Sequence, residues 1–184
     1  GSVVPYTDNF FATLNSAVFS DGSFVYIPDD LILPDPIHLL FISVSNDSAI
    51  VTHPRNVVVL GKRSRAAIIE SYSALGKGSY FTNSVTEIML GEDSQVEYYK
   101  LQREGDQAFH VGTTQLVQGT ESRMSSLYMD VGARLARHNL NVVMNGDGGE
   151  CLLNGLYLTN AQQQIDNHTS VDHSASYTKS RQLY

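Results

Sequence analysis

The stretch that decides the fold contains one short pattern four times: GKRSRAAIIE at residues 61–70, GEDSQVEYYK at 91–100, GTESRMSSLY at 119–128 and GDGGECLLNG at 146–155. The leading glycines are Gly61, Gly91, Gly119 and Gly146, so the pattern returns at a nearly constant interval. Each copy joins a glycine-led turn to a half-apolar strand, and each is too small to bury its own apolar face. This period predicts a solenoid, in which successive copies stack on one another.

Strand-like segments on both sides of these copies continue the same rhythm. Strands are predicted at residues 23–28, 37–45, 49–52, 56–60, 66–73, 82–90, 96–102, 108–117, 122–131, 139–144, 151–159 and 164–168. A short helical turn capped by Asp8 is predicted before them, at residues 8–17. No helical period of ten or more residues separates the strands, so in a parallel sheet the coil itself must serve as the crossover. This predicts an all-β protein, a parallel β-solenoid with two or three strands per turn. A seven-strand antiparallel sandwich remains the alternative.

The composition is typical of one folded, strand-rich domain. The 184 residues are 42% hydrophobic and 17% charged, with a formal net charge of −7. The basic residues are dispersed, which argues against nucleic-acid binding, and no apolar run is long enough to span a membrane. The single cysteine, Cys151, excludes an internal disulfide and favours a reducing compartment. The pair Gly1-Ser2 is typical of residues left by cloning and indicates a piece of a longer protein.

Several segments match one known pattern in their order along nearly the whole chain. They are TLNSA (13–17) followed by DGSFVYIP (21–28), HPRN (53–56), YFTNSVTEI (80–88), YKLQRE (99–104), NLNVV (139–143), NGLY (154–157), and DNHT (166–169) continuing through DH (172–173) to SR (180–181). In this collinear order they resemble the core domain of the SufB/SufD family of iron–sulfur cluster assembly scaffolds, and the SufD branch in particular.

The resemblance implies a right-handed parallel β-helix, truncated at both ends, with residues 1–184 forming the core domain. It also implies a non-enzymatic scaffold subunit that pairs with a SufB-like subunit and works with a SufC-like ATPase. A homo-oligomer is a further possibility. The family's N-terminal helical region, its ATPase-binding C-terminal region and a Cys-x-His segment resembling a cluster ligand are expected to lie outside this chain. The chain alone is therefore expected to hold no cofactor, with an iron–sulfur cluster only in the full complex. The expected location is a bacterial cytoplasm or a plastid stroma.

Two histidines and two aspartates near the C-terminus are weak candidate metal ligands: Asp166, His168, Asp172 and His173. Imidazole and carboxylate groups suit iron or zinc. On a strand, alternation places Asp166, His168 and Asp172 on one face and His173 on the other. The simpler interpretation is that these side chains make turn and ladder hydrogen bonds. We therefore predict no catalytic, cofactor or metal site beyond these four residues.

Carboxylates recur at strand positions, at Glu70, Glu87, Glu97 and Glu104. The favoured interpretation is a solvated face. The alternative is a carbohydrate-active β-helix protein that uses a carboxylate pair for acid–base chemistry. The absence of tryptophan weakens this alternative, because sugar sites commonly use aromatic platforms.

The remaining reactive or charged side chains are predicted to be structural. Cys151 alternates with leucines and is predicted to lie in the core. Basic side chains are interpreted as surface residues that pair singly with acids or line a face for an acidic partner: Lys100, Arg103, Arg123, Arg134 and Arg137. Tyrosines are predicted to stack between coils: Tyr98, Tyr99, Tyr128 and Tyr157. His110 and His138 receive no role.

Overall fold

One helix and thirteen strands follow one another in the computed structural model, which describes residues 9–45, 49–160 and 162–184. The helix is α1, Phe10–Val18. The strands are β1 Asp21–Ile27, β2 Ile37–Val44, β3 Ile50–Thr52, β4 Pro54–Leu60, β5 Arg65–Leu75, β6 Tyr80–Leu90, β7 Gln95–Arg103, β8 Ala108–Gln118, β9 Arg123–Asp130, β10 Leu135–Met144, β11 Glu150–Tyr157, β12 Gln164–Asp172 and β13 Lys179–Leu183. The last strand, β13, is absent from the sequence prediction.

The strands alternate between two sheets, and all of their described pairings are parallel. Sheet A has the order β1-β4-β6-β8-β10-β12, with β3 also beside β6, and sheet B has the order β13-β11-β9-β7-β5-β2. Each turn of the chain gives one strand to each sheet, and the whole makes a β-solenoid of about five turns. The parallel β-solenoid is confirmed. The antiparallel sandwich is wrong, because no neighbouring strands of the described chain run in opposite directions.

The Gly-x-x-Ser pattern forms the corner that leads from sheet A to sheet B. In three successive corners the serine hydroxyl donates to the glycine carbonyl oxygen three residues earlier, at 2.8 Å, in Ser64, Ser94 and Ser122. The third corner residue has a positive φ, 55° at Arg63, 52° at Asp93 and 55° at Glu121. The repeat found in the sequence is therefore a repeat of one turn geometry.

The leading glycine of each corner is required by the closeness of the corner below it. A methyl group on Gly91 would lie 2.9 Å from the carbonyl carbon of Gly61 and 3.0 Å from the carbonyl oxygen of Leu60. The Gly91 N–H also donates to the Leu60 carbonyl at 2.8 Å. Since these neighbours are backbone atoms in the adjacent turn, a side chain has no room there.

The interior of the coil is divided into an apolar part and a polar part. Inward-facing residues near the Gly-x-x-Ser corners form the apolar core, which includes Val58, Leu60, Ile68, Ile88, Leu116, Leu140, Met144 and Leu153. Farther from these corners, the inward-facing positions of the same strands hold buried charged and hydroxyl side chains. Two-residue alternation thus places both groups between the sheets.

Helix α1 lies on the outer face of sheet A and is held largely by hydrogen bonds. The Asn15 amide donates to the carbonyl oxygens of Pro54 at 3.0 Å and Asn83 at 2.9 Å. The helix cap is Asn9, whose side chain accepts from the Ala12 N–H at 3.1 Å. The predicted cap, Asp8, lies outside the described residues.

Candidate functional site

A cluster of charged and histidine side chains fills the polar part of the interior. We call it the polar compartment, and it comprises Glu70, Lys100, Glu104, His110, Asp130 and His138. Glu70 on β5 and Lys100 on β7 are register partners, so the parallel pairing brings the two charges side by side. These six side chains are buried between the sheets, where an unpaired charge is costly.

Glu70 and Lys100 form the most enclosed ion pair. The Lys100 ammonium lies 3.2 Å from Glu70 Oε1, and the side chains are 2% and 0% exposed. Hydroxyl groups of Tyr72, Tyr98 and Thr86 donate to the same carboxylate at 2.7–2.8 Å. Burial raises the pKa of Glu70, but the Lys100 charge and these hydrogen bonds outweigh it and lower the pKa below its ordinary value. Glu70 is therefore a fully partnered carboxylate.

Glu104 and His110 form a second pair in the next turn. His110 Nδ1 lies 2.7 Å from Glu104 Oε2, while Thr82 and Gln102 donate to Glu104 at 2.7 and 3.0 Å. Burial raises the pKa of Glu104, yet the His110 charge and these hydrogen bonds give a net lowering. The arrangement keeps the carboxylate ionised and orients the imidazole.

His138 is a buried histidine close enough to Lys100 to feel its positive charge. Its ring centroid lies 4.2 Å from that of Tyr128, and its Nε2 lies 3.2 Å from Thr114 Oγ1. Burial, followed by the charges of Lys100 and His110, lowers the pKa of His138 well below its ordinary value. His138 is consequently neutral in the fold around pH 7.

Acidification is expected to weaken the fold through His138. The unfolded chain takes up a proton near pH 6.5 that the folded chain does not, so the free energy of unfolding falls as the pH drops below 6.5. A comparison of pH 6.5 with about pH 5 therefore reports the contribution of His138. Urea unfolding at both pH values should show a smaller fall in the His138→Gln variant than in the unchanged chain.

Burial raises the pKa of Asp130, so this residue makes the free energy of unfolding rise as the pH falls, opposite to the effect of His138. The quantity to measure is therefore the difference in pH dependence between the His138→Gln variant and the unchanged chain. The matched control is His168→Gln, which removes a histidine on the exposed face of β12, outside the polar compartment. Equal pH dependence in the His138→Gln variant and the unchanged chain would contradict the role of His138.

The polar compartment contains acid–base groups, but they are not open to a substrate. Glu70, Lys100, Glu104 and His110 are at most 5% exposed, so a proton can move among them while a larger molecule cannot reach them. Their geometry supports a stiff, hydrogen-bonded interior. The structure offers no exposed pair of acids formed from these carboxylates.

The four predicted carboxylates fall in three different environments. Glu70 and Glu104 lie in the interior, so their interpretation as a solvated face is wrong. Glu87 faces outward, is 2% exposed and pairs with Arg55. Only Glu97 is exposed, and it accepts from Tyr99 Oη at 2.8 Å. The open carboxylate pair required by a carbohydrate-active protein is not formed by these residues.

The candidate metal ligands do not converge. Asp166, His168 and Asp172 share the exposed face of β12, as alternation predicts. His173 follows the strand, and its two ring nitrogens lie 2.7 and 3.0 Å from hydroxyl oxygens of Thr178 and Ser180. Within residues 9–45, 49–160 and 162–184, no three His, Cys, Asp or Glu side chains are grouped so as to hold a metal ion.

Cys151 lies in the apolar core, as its alternation with leucines predicts. It is 3% exposed, and burial raises the pKa of its thiol to about 11. A protonated, enclosed thiol is a poor nucleophile and a poor metal ligand.

The favoured interpretation of the basic residues, single pairing with nearby acids, is confirmed for Lys100 with Glu70, Arg123 with Glu150 and Arg137 with Asp166. The alternative, in which they line one face, is wrong. Lys100 is inside the coil, whereas Arg123 and Arg137 are exposed on sheets B and A respectively. The tyrosine prediction holds for one pair, since the rings of Tyr98 and Tyr128 meet edge to face at 5.8 Å. Tyr99 and Tyr157 do not belong to this stack.

The polar compartment was not predicted from the sequence, although the alternation within a strand indicates it. Glu70 is two residues after the inward-facing Ile68, so it lies on the same inward face of β5.

Comparison with known proteins identifies relatives over nearly the whole chain. The family model described as "SUF system FeS cluster assembly, SufBD core domain" matches residues 41–184. The chain is 33% identical to the iron–sulfur cluster assembly SufBD family protein slr0076 of Synechocystis, over 95% of the chain and 40% of that relative. It is 33% identical to the chloroplastic SufBD family protein ABCI8 of Arabidopsis thaliana, over 98% of the chain and 34% of that relative.

A further relative is the iron–sulfur cluster assembly protein SufB of Plasmodium falciparum, which is 28% identical over 98% of the chain and 40% of that protein. The chain thus spans at most about 40% of the length of these relatives. Their names do not assign the chain to the SufD branch, which stays a prediction. Helix α1 has nine residues, and no helix in the described part of the chain is long and apolar enough to cross a bilayer.

Proposed function

Because the chain belongs to the SufB/SufD family of the SUF iron–sulfur cluster assembly system, we propose that it forms the β-solenoid core of a scaffold subunit. This core pairs with a SufB-like subunit and serves a SufC-like ATPase, and its own branch is SufD. It does no chemistry by itself. The match of the SufBD core-domain model to residues 41–184, which make up about four-fifths of the chain, is the observation that carries the proposal.

The fold supports a scaffold role through its stiffness. Neighbouring strands within each sheet are joined by parallel ladders, and the ion pair between Glu70 and Lys100 joins neighbouring turns. The acid–base groups are sealed between the sheets, where they serve the fold. A rod of this kind can transmit a displacement from a partner at one place to a partner at another.

Exposed apolar side chains on the outer faces of β1 and β2 are the proposed docking surface for protein partners. β1 and β2 lie at one end of sheets A and B, and β12 and β13 at the other. Outward-facing apolar side chains of β1 and β2 are exposed, including Phe24, Leu40 and Ile42. This apolar surface is proposed to contact a SufB-like subunit or a second copy of the chain.

The chain alone is proposed to hold no iron–sulfur cluster. Clusters are usually held by several thiolates, and the one cysteine, Cys151, is buried and protonated. The cluster would form only in the complete complex. The location of that complex is proposed to be a bacterial cytoplasm or a plastid stroma, in agreement with cyanobacterial and chloroplastic relatives.

One experiment tests the scaffold role. The chain is incubated anaerobically with iron and sulfide, alone and with the SufB-like protein of the same organism. We expect a stable complex of the two proteins by size-exclusion chromatography, with cluster absorbance in the complex and none on the chain alone. The control is the SufB-like protein without the chain.

Two results would overturn the proposal in different ways. A stoichiometric cluster on the isolated chain would show that it carries its own ligands. Failure to associate with the SufB-like protein, with both proteins folded by circular dichroism, would remove the pairing role.

A further inference from the structure

A groove on the outer face of sheet A has a floor of amide side chains. It lies beside the start of α1 and has a volume of about 570 Å³. Its floor includes Gln115 on β8 and Asn139 and Asn141 on β10, and its wall is formed by Phe10 and Phe11. We call it the amide groove. None of these five residues carries a role predicted from the sequence.

Two of the three floor residues are buried, and their side chains have no protein partner within the described structure. Gln115 is 4% exposed and Asn139 is 9% exposed, and neither side chain takes part in a hydrogen bond there. By contrast, the buried Asn15 amide donates to the carbonyl oxygens of Pro54 and Asn83. Since both floor residues line the groove, their hydrogen-bonding capacity is directed into it. The polar atoms of these amides are open to the groove, so water or a ligand can bond them there.

We propose that the amide groove binds an extended polypeptide segment of a protein partner. Asn139 and Asn141 are two residues apart on β10, which places their side chains about 6.6–6.8 Å apart along the strand. This distance equals the two-residue repeat of an extended peptide lying along β10. Gln115 is the register partner of Asn141 and lies about 4.8 Å to its side. A carboxamide both donates and accepts, so each can bond a main-chain N–H and C=O.

The charges around the groove select the side chains of the bound peptide. Asp172 lines the groove and has no ion-pair or hydrogen-bond partner among the described residues, whereas Arg137 already faces Asp166 at 3.5 Å. The free negative charge therefore favours a basic residue in the ligand, as does the net charge of −7. Phe10, which is 72% exposed, offers a contact for an apolar residue. The proposal stands on these contacts and does not depend on the SUF role.

The test uses acetylated octapeptides in which threonine alternates with lysine, with phenylalanine or with both. We expect at least one to bind the folded 184-residue chain with a Kd below about 1 mM. The side-chain NH₂ signals of Gln115, Asn139 and Asn141 should shift in ¹⁵N–¹H spectra. Removing two amides in the Asn139→Ala/Asn141→Ala variant should weaken binding by about tenfold or more.

The controls separate this proposal from its alternatives. The Asn154→Ala variant changes an asparagine on sheet B and should bind the peptide as the unchanged chain does. A peptide that is N-methylated at alternate residues should lose binding, because it lacks the main-chain donors. The proposal is wrong if no peptide of the set binds below about 1 mM, if the N-methylated peptide binds equally well, or if cellohexaose shifts the same signals and the peptides do not.

Discussion

Replacing Lys100 by methionine is expected to lower the free energy of unfolding by about 3–5 kcal/mol, because it leaves a buried carboxylate without its cation. Methionine keeps the unbranched shape but removes the ammonium that lies 3.2 Å from Glu70. Glu70 then has hydroxyl partners and no counter-charge. Urea unfolding followed by circular dichroism at pH 7 measures the change.

Two further variants show whether the loss comes from the unpaired charge. Adding Glu70→Gln to Lys100→Met removes that charge and should restore part of the stability, because the glutamine oxygen can accept from one tyrosine hydroxyl and its NH₂ can donate to the oxygen of the other. The matched control is Lys62→Met, whose ion pair with Glu92 has side chains 55% and 54% exposed and should cost less than about 1 kcal/mol. A Lys100→Met variant no less stable than Lys62→Met would refute the role of the pair.

Replacing Gly91 by alanine is expected to cost about 1–3 kcal/mol, although only one methyl group is added. That methyl would lie 2.9–3.0 Å from backbone atoms of Leu60, Gly61 and Lys62 in the turn below. A neighbouring side chain could rotate away, but these atoms belong to a corner that is itself hydrogen-bonded to Gly91. Thermal and urea unfolding provide the measurement.

The chain supplies a closely matched control for Gly91→Ala. A methyl group on Gly105 meets no atom within 4 Å, so Gly105→Ala should change stability by no more than about 0.5 kcal/mol. If both substitutions had the same small effect, close stacking of the corners would not be what fixes glycine at the start of the repeat.

The architecture could be predicted because its determinants are local and repeated. The Gly-x-x-Ser corners carry one hydrogen bond and one backbone shape at each turn, so the same residues return at nearly the same interval. The interval between successive corners shortens slightly along the chain. The separation between paired residues shortens in the same way, since Leu60 pairs with Leu90 and Leu90 pairs with Gln118. Only at the fourth corner does an extra residue, Asn145, enter the turn, where it and Gly146 both donate to the Gln118 carbonyl.

The polar compartment could not be predicted with the same reasoning, because a charged residue in a strand usually faces water. Glu70 and Lys100 belong to successive turns of the coil, and nothing in either strand alone shows that they are register partners. Their inward phase, shared with Ile68 and Tyr98, is the signal that was available. To use this signal, one must assume that a charged residue at an inward-facing strand position still faces inward, as the apolar residues of that strand do.

The surface features depend on contacts between distant segments. The amide groove needs the beginning of α1 beside β8 and β10, and the tie between Asn9 and Thr113 spans 104 residues. The exposed strand β13 has neither apolar alternation nor a strong turn before it, so its pairing with β11 is visible only in the fold. The face shared by Asp166, His168 and Asp172 was predictable, since it follows from alternation within one strand.

The register also determines the order in which the chain assembles and comes apart. Val25 pairs with Val58 near one end of sheet A, and Val142 pairs with Leu116 nearer the other, so each ladder joins residues one turn of the coil apart. Each new turn therefore closes a loop of nearly the same length and loses nearly the same entropy, however many turns precede it. Loss of a terminal turn removes only the contacts with its neighbour. Amide protons of β13 should consequently exchange with solvent first, and those of β6 and β8, bounded by turns on both sides, should exchange last.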